Sequence, residues 1–176
     1  VKGVILYGPP GVGKDTITGE LERLDSRFSL YRRLKVGGGR TTGYRMTNEA
    51  EVDALRSAGE VIWENSRYDA LYVIDRATLS SEMVAGIPVV HLGQPQAVKA
   101  VIEAISGSCW VVASLSCPRG VALERILARR TGDVDARMRA WDETEHLANA
   151  DLEIDTHALL PNRAAELIVD YAKVMR

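Results

Sequence analysis

The chain holds little cysteine, little histidine and no excess of either charge. Its 176 residues include two cysteines and three histidines, and 22 basic against 24 acidic side chains leave a net charge of −2. Cys109 and Cys117 are not spaced as a zinc or redox pair; both flank the apolar run 110–115 and are expected as buried thiols. His91, His146 and His157 are scattered, which argues against a histidine metal cluster. A near-neutral chain lacks the electrostatic footprint of a protein that coats nucleic acid or an anionic membrane. Neither is an expected partner, and any charge meant for phosphate must be gathered locally. No apolar run approaches the roughly 20 residues of a membrane-spanning helix, and no stretch reads as a signal peptide, so a cytoplasmic protein is expected. Repeats, low-complexity tracts and linkers are also missing. What remains, 46% apolar and 26% charged, is the composition of one soluble domain with a full core.

One stretch organises the rest: Gly8-Pro9-Pro10-Gly11-Val12-Gly13-Lys14-Asp15-Thr16. It follows the strand-like run Val4-Ile5-Leu6-Tyr7 and precedes Ile17, Leu21 and Leu24 at helical spacing. Strand, glycine-rich turn and helix start are the context in which G-x-x-x-x-G-K reads as a phosphate-binding loop, or P-loop. Its glycines let backbone N–H groups turn inward around a phosphate, and the helix N-terminus adds partial positive charge. Gly8, Pro10, Gly11, Val12, Gly13, Lys14, Asp15 and Thr16 are therefore the expected nucleotide-binding residues, with Lys14 on the outer phosphates. The residue after the lysine is usually Ser or Thr, whose hydroxyl ligates Mg²⁺; here it is Asp15. A carboxylate beside phosphates needs a cation between them, so Asp15 reads as holding the metal, directly or through water. It reads almost as well as an N-terminal helix aspartate favoured by the dipole. Thr16 is expected on an inner phosphate or beside the metal.

The rest of the chain alternates strand-like and helical stretches. Strands are expected at 1–7, 28–36, 61–63, 70–74, 87–92, 109–116 and 152–154. Helices are expected at 13–24, 48–56, 77–85, 94–105, 118–130, 134–149 and 164–175. The apolar runs 87–92 and 109–116 are typical of buried parallel strands. The fold class that follows is α/β: a three-layer sandwich with a central parallel sheet. Residues 37–74 break that rhythm and read as a small α+β insertion in a core of 1–36 and 75–176, at the carboxyl edge where ligands bind open α/β sheets. A hairpin joined through residues 65–69 is expected within it.

Arginine gathers in three places: Arg32, Arg33 and Arg40 with Arg45; Arg125, Arg129 and Arg130; and Arg137 with Arg139. Its planar fork suits phosphate, and phosphoryl transfer consists mainly of positioning and neutralising charge. Arg129, Arg130 and Arg137 flank Thr131-Gly132-Asp133 and read as a helical lid over about 125–140, catalytic together with Lys14. Tyr44 and Tyr72 are candidates for an acceptor's phosphate, although Tyr72 also suits a core strand. Glu64 reads either as a base-selecting carboxylate or as a surface residue. A hydrolytic switch would want an aspartate ending a buried strand, and Val90-His91-Leu92 and Ala113-Ser114-Leu115 supply none.

These motifs together resemble the guanylate kinase family of nucleoside monophosphate kinases over nearly the whole chain. The P-loop, Gly43-Tyr44-Arg45-Met46-Thr47, Ala58-Gly59-Glu60-Val61-Ile62, Leu71-Tyr72-Val73, 123–130 and Ala136-Arg137-Met138-Arg139 carry the likeness. The resemblance implies ATP and Mg²⁺ as cofactors and Arg129 or Arg130 with Arg137 on the transferred phosphoryl. It further implies an acceptor phosphate held by Arg40, Tyr44 and Tyr72, with Arg33 beside them. Two stretches depart from the family: Gly37-Gly38-Gly39-Arg40-Thr41-Thr42 replaces a Thr-Thr-Arg-x-x-Arg segment, and His91-Leu92-Gly93-Gln94 stands where a base-binding aspartate belongs. Lys14-Asp15 also resembles ribose 1,5-bisphosphate phosphokinase, a relative acting on a sugar phosphate. The expected function is transfer of the γ-phosphoryl of ATP to a small phosphate-bearing acceptor, first a nucleoside monophosphate, GMP-like or with a modified base. Ribose 1,5-bisphosphate is the close competitor, and a catalytically inactive binding module of the same fold is the reading from another class.

Overall fold

The structure is a computed structural model that describes residues 1–105 and 107–175. At its centre lies β1, Gly3–Tyr7, five residues with no exposed side chain. It pairs in parallel with β7, Ile87–Leu92, and with β8, Trp110–Ser116. The outer strands β2, Phe28–Leu30, and β9, Leu152–Asp155, are parallel too and complete a five-stranded sheet ordered β2-β7-β1-β8-β9. Strand side chains alternate between faces, so β1 feeds two cores. Val4 and Leu6 pack with Ile17 and Leu21 of α1, Lys14–Leu24, and with Ala165 and Ile168 of α7, Pro161–Val174. Ile5 and Tyr7 face the other side, with Val98 and Val101 of α4, Pro95–Ala104, and Leu79 of α3, Arg76–Ala85. The result is the expected α/β sandwich around a parallel sheet.

A second, four-stranded sheet runs β4-β3-β6-β5, built from β3, Leu34–Gly37, β4, Arg45–Met46, β5, Val61–Arg67, and β6, Ala70–Asp75. Helix α2, Glu49–Ser57, precedes β5, and the side chain of Asn48 caps it by accepting from Glu51 N at 3.0 Å. The single strand expected at 28–36 is two: the chain leaves the parallel sheet after Leu30 and joins the second sheet at Leu34. Tyr31 fixes the crossing, because its buried hydroxyl donates to Asp75 Oδ1 at 2.9 Å and accepts from Asp75 N at 3.1 Å. The small sheet therefore begins at Leu34 rather than at residue 37.

The hairpin also differs from expectation. Residues 65–69 are not a five-residue loop; β5 continues to Arg67, and only Tyr68 and Asp69 turn, each at φ 55°. Two consecutive left-handed residues make the primed turn that matches strand twist, reached here without glycine. The helix expected at 134–149 stops early. Helix α5, Arg119–Ala128, is followed by α6, Val134–Asp142, and Thr144 Oγ1 bonds back to Ala140 O at 2.7 Å beyond its end. Cys117 is buried, Cys109 half-buried, and both are free. Among the described residues no helix is long and apolar enough to cross a membrane.

Candidate active site

The loop between β1 and α1 wraps tightly because its glycines allow it. Gly8 has φ 146° and Gly11 φ 78°, and a Cβ at either would stand 2.5 Å from Leu115 O or 2.8 Å from Ala122 O. The loop can thus press against β8 and α5. Lys14 Nζ lies back over the loop, donating to the carbonyls of Gly8 (2.5 Å) and Pro9 (2.9 Å). Burial, reinforced by Arg33 and Arg129 against the opposing pull of Asp15, lowers its pKa to about 7.

That value carries a testable sign. A phosphate on Lys14 favours the charged ammonium and raises its pKa, so binding takes up a proton. A group half-protonated at pH 7 takes up about 0.5 proton per ligand, and affinity drops roughly fivefold from pH 7 to pH 8. Calorimetry of ATP binding in buffers of different ionisation enthalpy should give that uptake, with the lysine's share missing in Lys14→Met.

Around the loop lies a cleft lined by Lys14, Arg33, Arg40, Arg67, Arg129 and Arg137, against one carboxylate, Asp15. In a chain of net charge −2 this is a strong local field for polyanions. Arg33 lies 5.1 Å from the Tyr72 ring centre and 5.9 Å from that of Tyr44; the two rings stand 5.3 Å apart. Burial, with Tyr44 beside it, pushes the Tyr72 phenol up to about 12, which keeps it a hydrogen-bond donor. Arg137 is held by Asp133 Oδ1 at 2.7 Å and lies 5.1 Å from the Tyr68 ring. The expected residues Lys14, Asp15, Arg33, Arg40, Tyr44, Tyr72, Arg129 and Arg137 meet here, as do Gly8, Pro10, Gly11, Val12 and Gly13.

Three expected residues do not. Glu64 faces away: in the antiparallel pair it stands opposite Val73, while its neighbour Asn65 stands opposite Tyr72 on the cleft side. Its carboxylate pairs with Arg56 Nε of α2 at 2.9 Å. Arg130 follows the end of α5 at φ 51°, exposed and outside the cleft. Thr16 lines a separate groove beyond the P-loop, with Arg125, Ala128, Thr156, Leu159 and Pro161. Arg45 is structural, bonded to Asp75, to Thr78 Oγ1 at 2.9 Å and to Arg32 O at 2.8 Å. Arg125 likewise clamps Thr156 Oγ1 and O at 3.0 and 2.9 Å. Lys35 is fully buried and donates to Gly38 O (2.5 Å) and Arg40 O (2.8 Å), pinning the glycine run.

Other cleft residues escaped sequence reasoning. Asn65 brings a buried amide oxygen that no described residue bonds; it became readable only once β5 was known to extend through it. His91, at the carboxyl end of β7, bonds Thr18 Oγ1 through Nε2 at 2.7 Å and places Nδ1 3.5 Å from Asp15 Oδ1. Burial and the nearby Lys14 hold this imidazole neutral, far below its usual range. Burial opposes ionisation of Asp15, but the charges of Arg40 and Arg129 and the hydrogen bond from Arg40 favour the carboxylate and keep its carboxyl low. Asp15 Oδ2 faces Arg40 at 3.2 Å and Arg129 at 3.9 Å, and Oδ1 faces His91. A charged carboxylate oxygen at the edge of a cationic cleft fits a hard divalent cation shared with phosphate. Among the described residues no group of three or more metal-ligating side chains exists.

No family model matches the chain, and no curated protein sequence does either. Solved structures do. A guanylate kinase from Anaplasma phagocytophilum superposes with a TM-score of 0.62 at 16% identity, over 98% of this chain and 84% of that one. The crystal structure of APE1195 superposes with a TM-score of 0.59 at 19% identity, over 98% and 96%. Likeness at such identities carries the fold: an α/β chain built like a P-loop kinase.

Proposed function

We propose that the protein is an ATP-dependent phosphotransferase that moves the γ-phosphoryl of ATP onto the phosphate of a small acceptor. The observation that supports this best is one cleft holding the P-loop with Lys14 on one side and the Arg33, Tyr44 and Tyr72 cluster on the other. In this reading the inward amides of the P-loop and Lys14 hold the outer phosphates of ATP. The separate groove past Thr16, walled by Arg125, Leu159 and Pro161, takes the rest of the donor nucleotide. A divalent cation such as Mg²⁺, held through Asp15, neutralises charge between donor phosphates when bound. Arg33 and Arg40 orient the acceptor phosphate for in-line attack, Tyr44 and Tyr72 donate to its oxygens, and Arg129 and Arg137 balance charge on the transferring group. No protein nucleophile takes part. An inactive binding module would have no use for Lys14 and Arg129 in the same cleft.

Arg129 and Arg130 separate by position. Arg129→Ala is expected to lower kcat by roughly 10²-fold, whereas Arg130→Ala stays within a few-fold; steady-state kinetics on both variants checks this.

The acceptor is either a nucleoside monophosphate or ribose 1,5-bisphosphate. The turned-away Glu64 favours the second, because the cleft then offers the neutral amide of Asn65 and the hydroxyl of Thr144 instead of a base-selecting carboxylate. Arg67 adds a further cation for a second phosphate. Glu64→Ala should leave kcat/KM within about twofold, as expected for an exposed pair. Asn65→Ala should raise the acceptor KM about tenfold through its lost hydrogen bond. The deciding experiment is ADP release from ATP and Mg²⁺ with GMP, dGMP, AMP, CMP, UMP, dTMP or ribose 1,5-bisphosphate. Turnover with one acceptor that disappears in Arg33→Ala supports the proposal; turnover with none contradicts it.

A further inference from the structure

The residue pair that departs most from an ordinary P-loop site is Asp15 with His91. The two side chains come from different elements, the start of α1 and the end of β7, and meet at Oδ1 and Nδ1 across 3.5 Å. That separation is longer than a well-formed N–H···O bond of about 2.7–3.2 Å. It suits two neighbouring ligands of one ion: with bonds of about 2.1 Å the angle at the ion is about 110°. We propose that Asp15 Oδ1 and His91 Nδ1 form a two-ligand site for a divalent first-row transition ion such as Mn²⁺, Co²⁺ or Zn²⁺.

Three features prepare the pair for that role. The oxygen of Asp15 nearest Arg40 and Arg129 is Oδ2, while Oδ1 is the one that approaches His91. The His91 ring is fixed from behind, its Nε2 2.7 Å from the buried Thr18 hydroxyl, which is how ligating histidines are oriented by their other nitrogen. Thr18 Oγ1 also lies 3.0 Å from Lys14 O. When the Thr18 hydroxyl donates to Nε2, the ring carries its hydrogen on Nδ1, toward Asp15. When the hydroxyl donates to Lys14 O, it accepts from Nε2–H and Nδ1 presents a lone pair. Rotation of one hydroxyl thus lets the imidazole change tautomer while Nε2 stays paired.

The ion's remaining positions fall to phosphate oxygens and water, since two protein ligands do not complete a coordination shell. Arg40 and Arg129 also oppose a lone cation, so the site fills together with bound phosphates, and in this respect the inference rests on the phosphotransferase reading. Mg²⁺ takes oxygen ligands, whereas an imidazole nitrogen favours the later ions. The pair therefore selects Mn²⁺ over Mg²⁺.

Electron paramagnetic resonance with Mn²⁺ tests this in the whole protein, free and with a non-hydrolysable ATP analogue whose own binding is measured separately. Bound Mn²⁺ should show electron spin-echo modulation from a directly bonded ¹⁴N, lost in His91→Gln. Asp15→Asn should weaken Mn²⁺ binding at least tenfold. His91→Asn should narrow a Mn²⁺ over Mg²⁺ preference of tenfold or more. Bound Mn²⁺ without nitrogen modulation overturns the proposal, as does no bound Mn²⁺ in either state. If the analogue fails to bind while the free protein holds Mn²⁺ with nitrogen modulation, the metal site stands and the phosphotransferase reading falls.

Discussion

Replacing Lys14 with alanine is expected to lower phosphoryl transfer by roughly 10²–10³-fold, the scale for removing one preorganised charge from a transition state. The fold should survive. Without nucleotide the ammonium bonds only the Gly8 and Pro9 carbonyls of its own loop, and the core beneath is built by Val4, Leu6, Ile17 and Leu21. The loss should appear in kcat at saturating ATP, with a thermal transition near that of the parent. Its low pKa adds a consequence: activity that depends on charged Lys14 weakens above pH 7 unless bound phosphates restore the charge.

Asp75→Ala is expected to destabilise the fold by about 3–5 kcal/mol, the cost of breaking a buried ion pair by removing one partner. Asp75 is 3% exposed. It pairs with Arg45, accepts from Tyr31 Oη at 2.9 Å, and caps α3 by accepting from Thr78 N at 3.1 Å. The one carboxylate joins the end of the second sheet, the crossing from the first, and the following helix. A drop in Tm on the order of 10 °C is expected for a chain of this size. Burial opposes the charge on Asp75, but Thr78 and Arg45 outweigh it and its pKa lies below the ordinary value. A depressed carboxyl stabilises above its unfolded pKa of about 3.9 and loses that contribution as pH falls through the folded value. Thermal melts from pH 7 to pH 3 should therefore show a shallower acid loss in Asp75→Asn than in the parent.

The parts of the molecule that obey local rules were legible from residues alone. The P-loop is legible because strand, glycines, lysine and helix agree within a short stretch, and residues 87–92 because β7 is apolar but for His91. The start of the helix expected at 48–56 was readable for the same reason. What was not legible depends on contacts remote in sequence. Residues 28–36 carry one extended pattern, and only the Tyr31 to Asp75 bond shows where the chain changes sheets. Tyr68 and Asp69 make a two-residue turn that normally advertises itself with glycine or asparagine, so the sequence places Asn65 in a loop and leaves Glu64 open between cleft and surface. With β5 running to Arg67, the alternation of its faces turns Glu64 away and Asn65 toward the cleft. In the sequence His91 is one of three scattered histidines and part of the stretch that departs from the family; its pairing with Asp15 and Thr18 is hidden because they lie more than seventy residues away. Among the arginines, pattern alone could not divide those facing the cleft, Arg33, Arg40, Arg129 and Arg137, from the structural Arg45 and Arg125.

The central claim is that a phosphate bound by Arg33, Tyr44 and Tyr72 receives the γ-phosphoryl of ATP held over Lys14. Phosphorus NMR of the reaction with each acceptor tests it most directly. The account predicts that the acceptor's phosphomonoester signal gives way to a coupled diphosphate pair as ATP becomes ADP, with the parent and not with Lys14→Ala. Conversion of ATP to ADP and inorganic phosphate alone, with every acceptor signal unchanged, would contradict it.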